Sequence, residues 1–333
     1  MSKRRLSRQQ SRRIAQHQQQ RRDNVDDSQL GAEQPGLVIA RYGKQADVES
    51  TEGSLIRCHL RANLGDVVTG DRVVWCPQDD TGVIVSVEPG RNRLERPDSY
   101  GKLKTVAANI DQVIITLAPE PQPHAGLIDR YLVAAAHLDV EVLILINKCD
   151  LLNDITRPHL QALLADYRTL EYRLLEISAR SGEGLEQLAE ELRNKTSVFT
   201  GQSGVGKSSL IQKLLPDEEI RIGKMSDLVA KGRHTTTHSR LYHFPSGGDC
   251  IDSPGIREFG LWHFTPQQVL SGFRELQHAA GECRFRDCKH QQEPGCAIRQ
   301  ALSEGRISAD RFDSFRRIIE TLDEVDVRPS QPR

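Results

Sequence analysis

The segment Thr200–Ser208 reads TGQSGVGKS, and it decides the fold class of the chain. From Gly201 it fits the pattern G-x-x-x-x-G-K-[ST], between the predicted strand SVF and a predicted helix. Glycines at these spacings let consecutive backbone N–H groups surround a phosphate, and the positive end of the following helix faces the same charge. The segment predicts a strand, a phosphate-binding loop and a helix, with Lys207 on the β- and γ-phosphates and Ser208 on Mg²⁺.

A second motif, Asn147-Lys148-Cys149-Asp150, precedes the phosphate loop in sequence and follows the apolar run VLILI. An Asp carboxylate at the end of such a strand can accept hydrogen bonds from both N1–H and the 2-amino group of guanine, and adenine offers no such donor pair. The pair Ser178-Ala179, after the next predicted strand, suits a backbone contact to the guanine oxygen. We therefore expect GTP; an ATP-hydrolysing phosphate-loop enzyme is the alternative that Asp150 opposes.

Two later segments supply candidate switch and magnesium residues. Asp252-Ser-Pro-Gly255 has the form D-x-x-G, so Asp252 can hold Mg²⁺ through water while the Gly255 N–H meets the γ-phosphate. Gly232-Arg-His-Thr-Thr-Thr237 offers hydroxyls for a switch threonine, for which we prefer Thr236 over Thr235. Ile256 stands where Ras-like enzymes carry the Gln that orients the attacking water, so we name His234 as the substitute, with an ordinary loop histidine as the rival interpretation.

These motifs define the predicted site residues. The expected guanine-nucleotide contacts are Asn147, Lys148, Cys149, Asp150, Ser178, Ala179, Gly201, Gln202, Ser203, Gly204, Val205, Gly206, Lys207, Ser208, Ser209, Asp252 and Gly255. The expected magnesium ligands are Ser208, Thr236 and Asp252, and the expected catalytic residues are Lys207, Thr236 and His234.

Four regions are predicted along the 333 residues. Residues 1–35 form a basic arm, because residues 1–22 hold eight of the 45 Lys and Arg and no acidic residue, leaving 37 basic against 46 acidic residues elsewhere. The arm suits nucleic acid; a transit peptide and a solubilising tail are the alternatives. Short strands in 36–104 predict a small barrel, an OB-fold in preference to an SH3-like one. The local basic run from Arg91 to Lys104 could contact nucleic acid, and a solvated linker between domains is an equally good interpretation.

The rest of the chain is predicted to be an α/β domain over 105–262 and a helical domain over 263–333. The continuous apolar runs QVIITLA and VLILIN alternate with helical stretches, which is typical of a mostly parallel sheet covered on both faces. LYHF and DCID predict a hairpin on that sheet. Phe312, Phe315, Ile319 and Leu322 fall on one face of a helix and are interpreted as packing residues. No apolar run reaches transmembrane length, so we expect a cytoplasmic protein without a membrane partner, most simply a monomer.

A cysteine and histidine cluster lies in the helical region. Cys283, Cys288, His290 and Cys296 offer three thiolates and one imidazole, the donor set of a closed structural zinc site. Without an open coordination position such a metal does not act in catalysis. Three free thiols beside a surface histidine are the alternative.

Taken together, the order NKCD, GQSGVGKSS, GRHTTT and DSPG, between a small β-barrel and a Cys/His cluster, resembles the bacterial small-ribosomal-subunit biogenesis GTPases of the RsgA (YjeQ) type. The resemblance covers about residues 36–325. It implies a circularly permuted GTPase with an N-terminal OB-fold and a C-terminal zinc domain that acts in late small-subunit maturation and is stimulated by that subunit. It also implies rRNA as partner and Mg²⁺ and Zn²⁺ as ions. Ser253 stands where the family more usually has Thr, and we expect no loss of function from it.

Two function hypotheses of different classes follow. The first is an enzyme that hydrolyses GTP to GDP and phosphate on the small subunit. The second is an rRNA-binding assembly module in which nucleotide state sets affinity and hydrolysis is incidental. Ile256 supports the second, and a comparison of GTPase rates with and without small subunits separates the two.

Overall fold

The computed structural model describes residues 30–62, 64–97, 103–215, 239–252 and 264–326. They divide into two compact units, with the boundary in sequence between Gly90 and Arg91. No helix among these residues is long and apolar enough to cross a membrane.

The first unit is a five-stranded barrel that resembles an OB-fold, as predicted. Its strands are β1 (Gln34–Tyr42), β2 (Gln45–Ser50), β3 (Leu55–Leu60), β4 (Arg72–Gln78) and β5 (Thr81–Val87). The sheet closes because β1 pairs with both β2 and β4, and β3 lies parallel to β5 while the other pairs are antiparallel. Alternating β-branched and aromatic side chains fill the interior, among them Val38, Val48, Val73, Trp75 and Ile84.

A two-stranded hairpin opens the second unit. Strand β6 (Arg93–Pro97) pairs antiparallel with β7 (Leu103–Ala108) in a sheet of their own. The predicted domain boundary after Lys104 falls within β7. The boundary between the two compact units lies earlier in the sequence, before β6. The hydrogen-bonded ladder between β6 and β7 places both strands in the second unit.

The second unit is built on a mostly parallel sheet. Its strands are β8 (Gln112–Leu117), β9 (Glu141–Ile146), β10 (Arg173–Glu176), β11 (Thr196–Thr200), β12 (Arg240–His243) and β13 (Asp249–Asp252). The order is β10-β9-β8-β11-β13-β12, and only β12 runs antiparallel to its neighbour. Every residue of β8 is buried, as expected for a central strand covered on both faces. The predicted parallel sheet and its terminal hairpin are confirmed.

Helices cover both faces of this sheet. They are α1 (Ala125–Leu138), α2 (Thr156–Leu163), α3 (Ala165–Thr169), α4 (Leu185–Leu192) and α5 (Lys207–Leu214). One apolar cluster contains side chains of α4 and α5, and a second contains side chains of α1, α2 and α3.

The C-terminal helices are α6 (Pro266–Ser271), α7 (Arg274–Ala280), α8 (Ala297–Ser303) and α9 (Ala309–Asp326). They share an apolar cluster to which Val133 and Ala134 of α1 also belong. Phe312 and Phe315 are buried in it, and Ile319 and Leu322 pack against it. The predicted stripe on α9 is therefore a packing face.

Candidate functional site

The NKCD motif, the phosphate loop and Asp252 lie at the carboxyl edge of the α/β sheet. Asn147 follows β9, Gly201 follows β11, and Asp252 is the last residue of β13. Ligands of open α/β sheets bind at this edge. A cleft of about 590 Å³ lies here, lined by Asn147, Lys148, Asp150, Leu151, Ala179, Arg180, Gly206, Ser209, Gln212 and Lys213.

Asn147 connects two of the loops around the cleft. Its Nδ2 donates to the Val205 carbonyl at 2.9 Å, and its Oδ1 accepts from the Ala179 N–H at 3.1 Å. The side chain is buried, so these hydrogen bonds are protected from water. The amide therefore holds the phosphate loop and the loop after β10 at a defined separation.

Lys148 lies across the outside of the phosphate loop. Its backbone is left-handed, with φ 62°. The ammonium donates to the Gly204 carbonyl at 2.6 Å and to the Glu120 carbonyl at 3.0 Å. Lys148 thus links the phosphate loop to the segment between β8 and α1.

Asp150 presents its carboxylate to the cleft. Its Oδ1 accepts from the Ser178 hydroxyl at 2.5 Å, and Ser178 Oγ accepts from the Ser181 N–H at 3.1 Å. One oxygen is oriented by a buried serine while the residue itself stays exposed, which suits a carboxylate that reads a base edge. The adjacent Cys149 faces inward, and burial raises the pKa of its thiol to about 11, so it stays neutral at pH 7.

The phosphate loop has the backbone its glycines allow. Gly206 has φ +94°, and a Cβ there would lie 2.5 Å from Asn147 Nδ2. Helix α5 begins at the next residue, Lys207, whose ammonium donates to the carbonyls of Gly201 and Gln202, both at 2.6 Å. The lysine amine is therefore held within the loop that is predicted to surround the phosphates.

The structure brings together some predicted residues and not others. Six predicted contacts line the cleft: Asn147, Lys148, Asp150, Ala179, Gly206 and Ser209. Cys149, Ser178, Lys207, Ser208, Asp252 and the remaining loop residues do not line it. His234, Thr235, Thr236, Gly255 and Ile256 lie outside the described residues. Among the magnesium candidates, Ser208 is in the first turn of α5 and Asp252 is a buried carboxylate, both hard oxygen donors of the kind Mg²⁺ binds.

Sequence reasoning missed four lining residues of the cleft, Leu151, Arg180, Gln212 and Lys213. Helical spacing could have found two of them, because Gln212 and Lys213 come four residues after Ser208 and Ser209. Leu151 and Arg180 directly follow Asp150 and Ala179. The Glu120 carbonyl carried no signal in the sequence, because its contact with Lys148 depends on two strands lying side by side.

The Cys/His cluster forms a compact donor set. His290 Nδ1 lies 3.7 Å from Cys283 Sγ and 3.6 Å from Cys296 Sγ, and the four ligand atoms lie within 4.8 Å of one another. A tetrahedral zinc with ordinary bond lengths would separate sulfur and nitrogen ligands by about 3.5 Å. Burial lowers the pKa of His290, which favours the neutral imidazole that a metal needs. The cluster therefore fits a zinc ion.

Comparison with known proteins agrees with this arrangement. A family profile described as RsgA GTPase matches residues 87–262. A protein named small ribosomal subunit biogenesis GTPase RsgA from Saccharophagus degradans is 52% identical and covers 98% of this chain and 100% of its own length. The protein of the same name from Pseudomonas fluorescens SBW25 is also 52% identical, over 97% and 99%.

Two solved structures show the same fold. The crystal structure of YjeQ from Thermotoga maritima is 31% identical, with a TM-score of 0.73, and covers 87% of this chain and 99% of that one. YloQ, described as a circularly permuted GTPase, is 26% identical, with a TM-score of 0.71, over 90% and 97%. The predicted three-part fold and the circularly permuted order of the GTPase motifs agree with these structures.

Proposed function

Since this chain belongs to the RsgA GTPase family, we propose that it binds the small ribosomal subunit and acts in its late assembly, with GTP hydrolysis stimulated by that subunit. GTP hydrolysis is the activity of the family. The observation that carries the proposal is the link between Asp150 and the phosphate loop: both border one cleft, and Asn147 joins its loops. The name of the relatives supports the small subunit as partner.

In this proposal each motif has one task. Asp150 accepts from N1–H and the 2-amino group of guanine, and the backbone of the pair Ser178-Ala179 lies against the guanine oxygen. The phosphate loop, Gly201 to Ser209, surrounds the phosphates, and Lys207 neutralises developing charge on the γ-phosphate. Ser208, Thr236 and Asp252 hold Mg²⁺, which supplies further neutralisation of the phosphate oxygens.

Hydrolysis also needs a group that orients the attacking water. The side chain of Ile256 has no polar atom with which to hold a water molecule, so we assign this task to His234, which shares the segment 232–237 with Thr236. Under single-turnover conditions we expect His234→Ala to slow phosphate release and leave GTP affinity unchanged. An unchanged rate would identify His234 as an ordinary loop histidine.

The alternative function is an rRNA-binding assembly module in which nucleotide state sets affinity and hydrolysis is incidental. Ile256 favours it, because a site without a water-orienting side chain hydrolyses slowly by itself.

One experiment separates the two functions. Phosphate release is measured with and without purified small subunits, for the parent and for Lys207→Ala. We expect subunits to accelerate the parent, and Lys207→Ala to lose about a hundredfold or more in rate. Equal parental rates with and without subunits would favour the binding module.

The remaining assignments belong to the same proposal. Cys283, Cys288, His290 and Cys296 hold one structural zinc ion. The division into a basic arm (1–35), OB-fold (36–104), GTPase domain (105–262) and zinc domain (263–333) describes the working parts. rRNA is the contacted component of the subunit, GDP is the bound product, and the protein acts as a cytoplasmic monomer.

A further inference from the structure

Arg311 on α9 is a charged side chain almost without access to water. Its relative exposure is 2%, and buried arginines are rare unless paired. Its Nε and Nη2 donate to Glu275 Oε1 and Oε2 of α7 at 2.7 and 3.2 Å, and its Nη1 donates to Asp129 Oδ1 of α1. The guanidinium also lies 4.4 Å from the ring centre of Phe273 and 5.4 Å from that of Tyr167.

The partner of Arg311 on α1 is equally enclosed. Asp129 is fully buried, and its Oδ1 also accepts from the Tyr167 hydroxyl of α3 at 2.7 Å. Burial raises the pKa of Asp129, and the positive charge of Arg311 opposes that rise. We call Asp129, Tyr167, Glu275 and Arg311 the Arg311 cluster. It joins two helices of the α/β layer, α1 and α3, to two C-terminal helices, α7 and α9.

A cluster of this kind is better explained by geometry than by stability. Removing charges from water costs several kcal/mol per ion, and a protein in which apolar residues of similar volume replace a buried ion pair is often as stable as the original. The rigid fork of a guanidinium, by contrast, restricts the positions and orientations at which its carboxylate partners can accept hydrogen bonds. The Arg311 cluster therefore specifies how the C-terminal helices sit on α1.

The segment before α1 contacts Lys148, which lines the nucleotide cleft. The segment carries the Glu120 carbonyl, which shares the Lys148 ammonium with the Gly204 carbonyl of the phosphate loop. This segment ends in His124, whose Nδ1 caps α1 by accepting from the Leu127 N–H at 3.2 Å. A continuous set of contacts thus runs from the phosphate loop through α1 to Arg311.

We propose that Arg311 is a positioning residue that fixes the C-terminal helices on α1 and thereby couples their docking to nucleotide affinity. The coupling runs through the segment before α1. Because coupling is reciprocal, loosening the docked helices weakens nucleotide binding, and bound nucleotide strengthens docking. The inference rests on the proposed nucleotide site and goes beyond it, since none of the cluster residues lines the cleft.

The test uses the full-length protein and the substitution Arg311→Lys, which keeps the charge and removes the fork. We expect faster hydrogen–deuterium exchange in α7 and α9, and a dissociation constant for GDP that rises about fivefold or more. Tyr167→Phe removes only the hydroxyl bound to Asp129 and should shift both readouts in the same direction by less. The Tyr167→Phe variant still tests the proposal if the Arg311→Lys protein fails to fold.

The matched control is Arg316→Lys on the same helix. Arg316 is exposed and pairs only with Glu320, one turn further along α9, among the described residues. Exchange and GDP affinity in this variant should stay within about twofold of the parent, as for a surface pair.

Two results would overturn the proposal. One is Arg311→Lys and Tyr167→Phe proteins with parental exchange and parental GDP affinity. The other is faster exchange in α7 and α9 with unchanged GDP affinity, which would leave Arg311 a purely structural residue. A parent protein that binds no GDP would instead contradict the proposed nucleotide site.

Discussion

Asp150 shows how one side chain can set base preference at the residue scale. Its carboxylate faces the cleft and is oriented by the Ser178 hydroxyl at 2.5 Å. Two hydrogen bonds from guanine to a charged acceptor contribute about 1.5–3 kcal/mol each. Most of the discrimination between guanine and adenine should therefore depend on this carboxylate.

Asp150→Asn should weaken GTP binding by roughly a hundredfold or more, because an amide replaces one acceptor with a donor that faces the donors of guanine. Ser178→Ala should weaken the free energy of GTP binding by about 1 kcal/mol, since it removes only the hydrogen bond that orients the Asp150 carboxylate. Displacement of a fluorescent guanine nucleotide by GTP and by ATP measures both effects.

The control for this prediction is Asp154→Asn, the same change at an exposed residue that does not line the cleft. It should leave both affinities unchanged. If Asp150→Asn protein still preferred GTP over ATP as strongly as the parent, another residue would have to read the base.

At the scale of elements, α1 is held between two layers. Ile128, Leu132 and Ala135 belong to the apolar cluster of the sheet, while Val133 and Ala134 belong to that of the C-terminal helices. The C-terminal end of α6 approaches α1 closely, because a Cβ at Gly272 would lie 2.5 Å from Val133 Cα and 2.6 Å from Val133 Cγ2.

Gly272→Ala should therefore destabilise the protein by about 1–3 kcal/mol, the usual cost of overpacking. Gly272 has φ −80°, a conformation that alanine adopts freely, so the loss would arise from contact with α1 alone. Chemical denaturation followed by circular dichroism measures the change in the free energy of unfolding.

Gly126→Ala is the matched control, because Gly126 lies within α1 and its added Cβ would have no neighbour closer than 3.7 Å. Alanine is the better helix former, so this variant should be as stable as the parent or slightly more stable. Equal stability of the Gly272→Ala variant and the parent would show that α6 can move away from α1 without cost.

At the scale of the whole molecule, the Cys/His cluster joins the segments around α7 and α8. Cys283 follows α7 closely, and α8 begins directly after Cys296. Burial raises the pKa of the Cys288 thiol to about 12, so the thiol is protonated at pH 7 unless a metal displaces the proton.

We expect one zinc ion per chain at pH 7.5 and a fall in zinc occupancy as the pH is lowered towards 5. The sign follows from proton competition, since zinc binds thiolates and each bound proton must leave. Elemental analysis after dialysis at each pH gives the occupancy, and hydrogen exchange in α8 should rise as zinc is lost. Protein without stoichiometric zinc at pH 7.5 would contradict the assignment.

Much of this architecture was predictable because its signals are local. Consecutive apolar residues in QVIITLA mark a strand buried on both faces, and glycines at fixed spacing mark the phosphate loop. Three cysteines and a histidine within fourteen residues mark a metal site. Asp150 precedes Lys207 in the sequence, so the circularly permuted order of the motifs could be predicted without a structure.

Only the tertiary structure decided which distant groups meet. The NKCD motif predicts that Asn147 braces neighbouring loops, but the groups it bonds were decided by the strand order. The Ala179 N–H follows β10, which lies beside β9, and the Val205 carbonyl follows β11 on the far side of β8. Arg311 and Asp129 are 182 residues apart, and each lies in a helix that reads as amphipathic. A sequence pattern cannot separate a buried charge from an exposed one, because burial of a charge depends on a partner that the other layer of the fold must supply.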